Sequence, residues 1–431
     1  MNEHTLLSRR NFLKLGTAAI VLAGVGWALG ATPWGRQASH KAKSLVKGGD
    51  LPAEYLRQII AADNSRCRTI MWQSESPLAD PRAEYRPTDS DEAASVPAQS
   101  DTFTDDGVTC TIYTARITDL TPGQSYEYRT SGQKAGDWQP LQTDDGCSFK
   151  ALIFPDSQSN DYSGWKELAQ DAVHRNPDAA FFANMGDLVD NGEDHTQWNA
   201  WFDAVDGIMD RIPLVPLMGN HETYDQKWKV RLPQAYLHEF AVPENGSTSF
   251  SRYYYSFDYG SVHFIVLNTQ WDETEEFKPG LLDEQLAWLR QDMTEHRRKW
   301  NIVLFHKDVL QYRIHNRPER TEGISGEGRA FMPLFDELGI DVVFSAHLHT
   351  YRNRGQLYDF RPADHGPLYI LTGVAGNVRY PGLWIDHAFD KKVAPQPETD
   401  NYLTLEASEE QLHIRCFLPD GTEIDSSELQ K

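Results

Sequence analysis

Cysteine is scarce in this chain. The 431 residues contain four, Cys67, Cys110, Cys147 and Cys416, and none has C-x-x-C spacing, which argues against a cysteine-ligated zinc site. In an oxidising compartment a pairing of Cys67 with Cys110 across two strands and free buried thiols are equal alternatives. Positive charge is also short: 41 Lys and Arg against 63 Asp and Glu leave a net charge of -22. That deficit argues against a broad surface for nucleic acid or anionic membrane, since both need excess Lys and Arg. Beyond residue 31 no apolar run is long enough to span a bilayer, and there is no internal repeat or low-complexity tract. What is present is a hydrophobic fraction of 40%, ample for a folded protein. The chain is longer than a single core usually holds, so two domains plus tails are expected.

The first thirty residues form a separate device. Ser8, Arg9, Arg10, Asn11, Phe12, Leu13 and Lys14 precede an apolar run over 15–31, and this resembles a twin-arginine export signal. The resemblance implies the twin-arginine export machinery as a partner and a periplasmic, cell-surface or extracellular destination. The small-residue triplets at 28–30 and 29–31 both suit cleavage, and retention of the run as a membrane tether is the alternative. A route that carries folded proteins allows a metal cofactor to be loaded before export.

Residues 32–62 read as a linker, basic and Gly-containing over 40–50. From 63 to 146 the pattern is all-β. The stretches 69–72, 110–117 and 126–130 alternate or carry β-branched and aromatic residues between Gly and Pro turns. The Pro-, Ser-, Asp- and Ala-rich segment 77–106 reads as a long loop. Residues 120–128, Leu-Thr-Pro-Gly-Gln-Ser-Tyr-Glu-Tyr, resemble the tyrosine corner of fibronectin type III sandwiches. From 147 to 431 strands alternate with helices. Leu282, Leu286, Leu289 and Met293 mark one helix face, 253–258 and 262–267 read as paired strands, and 402–406 with 411–416 as a terminal hairpin.

Five short apolar runs, 150–154, 179–183, 212–217, 301–305 and 341–345, are each followed at once by polar residues and read as buried strands. After them come Asp156, Asp187, Asn220 with His221, His306, and His347 with His349. In open α/β sheets ligands collect beyond the carboxyl ends of strands, so these six or seven groups converge on one rim. That set suits a two-metal phosphoesterase.

Gly186-Asp187, Gly219-Asn220-His221-Glu222, His306 and Ala346-His347-Leu348-His349 resemble the calcineurin-like metallophosphoesterase signature. Residues 254–268, together with the preceding fibronectin-like module, resemble purple acid phosphatases and their bacterial relatives. The resemblance covers nearly everything after residue 62. It implies an all-β sandwich followed by a four-layer α/β domain with two sheets flanked by helices. It also implies hydrolysis of phosphate monoesters by a metal-activated hydroxide. Phosphodiesters of nucleotides, phospholipids or cell-wall polymers are the alternative substrates, and a non-catalytic cell-surface binding module is the alternative of another class.

Two cations close together need a bridging carboxylate, and Asp187 on its Gly turn is the natural choice. Asn220, His306 and His347 complete one site, and Asp156 and His349 the other. Mixed oxygen and nitrogen ligation suits Fe, Zn, Mn or Co. The chain departs from the family pattern twice. Asp190 stands where purple acid phosphatases carry a Tyr ligand, and Gln158 stands where other branches carry a His. Asp190, Gln158 or water therefore fills the first site. His221, beside a ligand but free itself, is the candidate proton donor to the leaving group. His315 falls where family members place a substrate-facing His. His174, His195, His263, His296 and His413 are expected to be structural or exposed, and Trp198, Trp201 and Phe202 to be core.

Overall fold

The computed structural model describes residues 53–74, 77–131, 135–395 and 398–431. The twin-arginine segment and the linker up to residue 52 lie outside these residues. Among the described residues no helix is long and apolar enough to cross a membrane.

The C-terminal part of the chain is built on two sheets. In the first, the parallel strands Phe149–Phe154, Ala179–Asn184 and Leu214–Pro216 lie side by side. Tyr402–Ala407 and Gln411–Phe417 extend it on one side, and a further strand, Glu423–Gln430, forms that edge. In the second, Val262–Val266, Trp300–Leu304, Val342–Ser345 and Leu368–Thr372 run parallel, with Tyr255–Tyr259 antiparallel at one end and Tyr351–Tyr358 beyond the other. These parallel strands are buried along their whole length, which is why they read as continuous apolar runs rather than alternating ones.

The two sheets pack face to face through aromatic side chains. Phe181 meets Phe257 and Phe264 edge-on, with centroids 5.8 and 5.5 Å apart. Phe149 packs on Tyr259 at 4.9 Å. Helices Ser163–Arg175 and His195–Ala204 cover the first sheet with Trp165, Trp198, Trp201 and Phe202, all in the main core. Leu281–His296 and Gly326–Leu338 cover the second through Leu289, Met293, Phe331 and Phe335. The order is helix, sheet, sheet, helix.

The N-terminal half is a sandwich of two antiparallel sheets around Ile70, Trp72, Tyr113, Tyr126 and Tyr128. The corner expected at 120–128 forms: the Tyr126 hydroxyl accepts the Thr121 N–H at 3.0 Å and donates to Gln124. The loop expected over 77–106 instead contains strands Arg82–Pro87, Ala94–Pro97 and Gln99–Asp105. Only Ala83 in these strands is fully buried and the rest are half-buried or exposed, so ladder hydrogen bonds hold them and no apolar alternation betrays them. The segment expected as linker through residue 62 contains strand Glu54–Ile59. That strand pairs antiparallel with Arg68–Ser74 and parallel with Leu214–Pro216 through Ile59 and Leu214. One ten-stranded sheet therefore runs through both halves. The junction is tied by Arg57, buried against Glu239 at 2.7 Å and over the Phe202 ring.

Cys67 and Cys110 are not bonded; all four cysteines are free thiols. The register explains it: Arg68 pairs with Ile117 and Ser74 with Thr111, so the two cysteines sit at opposite ends of the strand pair.

Candidate metal centre

Every expected ligand sits just past the carboxyl end of a parallel strand, and the rims of the two sheets meet there. Asp156 follows Phe149–Phe154, Asp187 follows Ala179–Asn184, and Asn220 and His221 follow Leu214–Pro216. From the second sheet, His306 follows Trp300–Leu304, and His347 and His349 follow Val342–Ser345. The turns are sharp: Asp187, His347 and His349 have φ of 48, 78 and 55°, a left-handed conformation that is uncommon outside glycine and clusters at functional sites. Two glycines allow the close approach. A Cβ on Gly186, itself at φ 90°, would lie 2.7 Å from His306 Nδ1, and one on Gly219 would lie 2.2 Å from Asp187 Oδ1.

The side chains form two donor groups that share Asp187: Asp187, His306 and His347, and Asp156, Asp187 and His349, each with its ligand atoms within 4.8 Å of one another. His306 Nε2 lies 3.0 Å from Asp187 Oδ2 and 3.3 Å from the Asn220 carbonyl oxygen Oδ1. His349 Nε2 lies 3.1 Å from Asp156 Oδ2. Backbone carbonyls orient both rings: His306 Nδ1–H donates to Met185 O and His349 Nδ1–H to Val378 O, each at 2.9 Å. These bonds fix the tautomers so that both Nε2 atoms face the site.

The electrostatics suit cations. Burial, the largest influence, lowers the His306 imidazole, but the Asp187 and Asp156 carboxylates outweigh it and hold it up at about 9. Burial raises Asp187, yet His306 and His221 outweigh it and hold it well below the usual carboxylate range. His347 is held well below its ordinary value by burial and by His306, so it is neutral, and its buried Nδ1 has no hydrogen-bond partner. The buried Asp156 and Asp187 carboxylates face imidazoles here, and a cation would compensate their charge. Two groups of mixed carboxylate and imidazole donors that share one carboxylate fit two borderline metal ions.

The two departures from the family pattern are placed differently. Gln158 is buried, its Nε2 3.3 Å from His349 Nε2 and its Oε1 without a partner, so a turn of the amide would bring its oxygen to the Asp156 and His349 site. Asp190 falls in neither donor group. Its carbonyl oxygen lies 2.7 Å from His221 Nδ1 and its carboxylate 3.6 Å away. Asp190 thus holds His221, whose N–H also donates to Asp187 Oδ1 at 2.8 Å. His221 belongs to neither donor group and is partly open. His315 is exposed on a turn, its N–H bonded to Leu383 O. The adjoining Ile314 pairs with Trp384, whose indole donates to Leu348 O between the two histidines of the second sheet. That contact brings the His315 loop to the rim without a direct bond from its imidazole to the donor groups.

Several site residues were not anticipated. Glu222 braces the Asp187 turn, although it was visible in Gly219-Asn220-His221-Glu222. Tyr380 lies over the His349 ring at 4.9 Å, and Trp228 lies beside His221; neither carries a spacing signal. His263 is buried between two carboxylates, as expected of a structural histidine.

The profile of the calcineurin-like phosphoesterase family matches residues 135–351, half of the chain, and the chain belongs to that family. Ahead of it, residues 56–143 match the N-terminal domain of purple acid phosphatases, and several curated plant relatives are purple acid phosphatases. Purple acid phosphatase 15 of Arabidopsis thaliana is 30% identical over 213 residues, which is 47% of this chain and 36% of that protein. Purple acid phosphatase 23 of the same plant is 31% identical over 186 residues, 42% and 38% of the two chains. The match thus spans well under half the length of these relatives. Among solved structures, purple acid phosphatase PPD1 from yellow lupin seeds shares the fold with a TM-score of 0.72 at 17% identity, covering 88% of this chain and 74% of that one.

Proposed function

We propose that the chain is an exported dinuclear metallophosphoesterase that hydrolyses phosphate monoesters. The observation that carries this reading is the sharing of the buried Asp187 by two donor groups, 187/306/347 and 156/187/349. When bound, two metal ions would neutralise the phosphoryl charge and activate a water. Asp187, Asn220, His306 and His347 would hold one ion; Asp156, Asp187, His349 and the amide oxygen of Gln158 would hold the other.

His221 supplies the proton chemistry. Its Nδ1 lies 2.7 Å from the Asp190 carbonyl oxygen, an acceptor only, so Nδ1 carries hydrogen. Nε2, 4.0 Å from Asp187 Oδ2, is then the atom that gives a proton to the leaving-group oxygen when the ring is doubly protonated. His315, on the rim loop, faces substrate. Sequence alone supports export, through the twin arginines Arg9 and Arg10, with the apolar run removed or kept as a tether.

Elemental analysis of purified protein, run beside a panel of alkyl and aryl monoesters and diesters, tests the reading. Two metal ions per chain and faster turnover of monoesters are expected, and Asp187→Ala lowers metal content below that of the wild type and abolishes turnover. Faster turnover of diesters replaces the substrate class. Absence of bound metal together with absence of hydrolysis overturns the reading in favour of a binding module.

A further inference from the structure

Trp228 is the most exposed large hydrophobic residue among those described, at 57% of its surface, although indole is a side chain that proteins normally bury in large part. Its loop is built to keep it there. The Asp225 carboxylate accepts the N–H groups of Lys227 and Lys229, both at 2.8 Å, and the Trp228 N–H bonds back to Asp225 O at 2.9 Å. Trp228 itself has φ of 60°, a conformation that a bulky residue rarely adopts. The loop is fastened to the segment that carries Asp187 and Asp190: Asn191 Nδ2 donates to Asp225 O at 2.5 Å, and the Gln226 N–H to Glu193 at 2.8 Å.

The ring stands at the mouth of the metal centre on the His221 side. Its centroid is 5.7 Å from the His221 ring at 86° and 6.0 Å from Tyr224 at 53°. Tyr224 closes the cluster, 5.5 Å from His221 at 81°. Exposed Lys227 and Lys229 flank Trp228 and provide local positive charge on a chain of net charge -22. An aromatic face held rigidly beside the proton donor lies where the group attached through the leaving oxygen must extend.

We propose that Trp228, with Tyr224, forms a stacking subsite for a flat aromatic leaving group, an aryl ring or a nucleobase, and so sets substrate preference; this rests on the phosphoesterase reading and on the side assigned to His221. Stacking on an aromatic side chain needs no hydrogen-bond code, because every such group offers a π face. Alkyl leaving groups gain nothing from it.

The test compares wild type, Trp228→Ala and Trp228→Phe as metal-loaded full chains on 4-nitrophenyl phosphate, adenosine 5'-monophosphate and glycerol 2-phosphate. The ratio of kcat/KM for an aromatic ester over the glycerol ester is expected to fall about tenfold in Trp228→Ala, through KM, and to recover largely in Trp228→Phe; stacking of this kind supports changes of that order. Whether the ratio falls for the nitrophenyl ester, the nucleotide or both identifies the aromatic group. An equal change on the glycerol ester overturns the subsite. Calorimetric titration with inorganic phosphate and with the phosphonate analogues of the nucleotide and of the nitrophenyl ester, whose P–C bond is not hydrolysed, reads binding without turnover. If wild type hydrolyses no ester but binds the nucleotide analogue more tightly than phosphate, and Trp228→Ala removes that advantage, the phosphoesterase reading falls and the subsite stands. If the two analogues both bind no more tightly than phosphate, the subsite is overturned whatever the turnover.

Discussion

The Glu222 carboxylate accepts the backbone N–H of Asp187 at 3.0 Å. It also takes Leu188 N–H at 2.8 Å, Val189 N–H at 3.4 Å and Gly219 N–H at 2.7 Å, so one buried side chain laces together the two turns that present the bridging ligand and Asn220. Burial and the nearby Asp187 carboxylate push its pKa up, while the Gly219 N–H and the His306 and His221 rings act against them. Replacing it with Gln substitutes an NH2 for an acceptor oxygen and sets donor against donor. Buried groups left unpaired in this way cost about 1 to 3 kcal/mol each. Glu222→Gln is expected to lower the unfolding midpoint and to weaken metal retention on dialysis against a chelator. A variant that keeps both at wild-type values removes Glu222 from the role of brace.

Much of this was legible in the sequence, for identifiable reasons. The five ligand-bearing strands are buried on both faces, so each appears as an unbroken apolar run, and the polar residues after it are the rim. The observed strands Phe149–Phe154 and Ala179–Asn184 nearly coincide with the runs 150–154 and 179–183. Exposed strands such as Gln99–Asp105 left no such trace. The strand Glu54–Ile59 was hidden because its role depends on Leu214, more than 150 positions away in the chain. The donor groups could be listed from spacing, but not the braces: the carbonyls of Met185, Val378 and Asp190 carry no residue-type signal. Trp228 was invisible because exposure belongs to the fold.

His263 gives the fold a pH dependence independent of the metal centre. Its ring is buried, Nδ1 2.7 Å from Asp258 and Nε2 2.8 Å from Asp292, with Arg298 also on Asp258 and the Ser256 hydroxyl on Asp292. The His296 ring lies 6.0 Å away. Burial lowers the imidazole, but the two carboxylates outweigh it and raise it to about 8. A raised histidine adds stability that is fully present below its unfolded value near 6.5 and is lost as pH climbs through about 8. The difference corresponds to roughly 2 kcal/mol. Urea unfolding at pH 6 and pH 9 is expected to show a lower midpoint for wild type at pH 9, and His263→Gln to flatten that difference while being less stable at pH 6. Equal pH dependence in both proteins would assign the effect to other groups.

The final prediction concerns His221, which stands apart from both donor groups. Its Nδ1 is held by the Asp190 carbonyl, which aims Nε2 at the cleft. His221→Ala is expected to leave metal content close to wild type, because neither donor group includes His221. Turnover should fall by roughly 10² to 10⁴, the usual span for lost general acid help. The loss should be larger for glycerol 2-phosphate, whose alkoxide leaves poorly without a proton, than for 4-nitrophenyl phosphate, whose phenolate departs largely unaided. Kinetics on both substrates, with metal measured on the same preparations, separate the possible roles. An equal loss on both esters would make His221 a phosphate-binding group, whereas a loss of metal would make it a ligand. Because the close contact to Nδ1 at 2.7 Å comes from the Asp190 backbone oxygen, with the carboxylate farther off at 3.6 Å, Asp190→Asn should retain most of the turnover that His221→Ala loses.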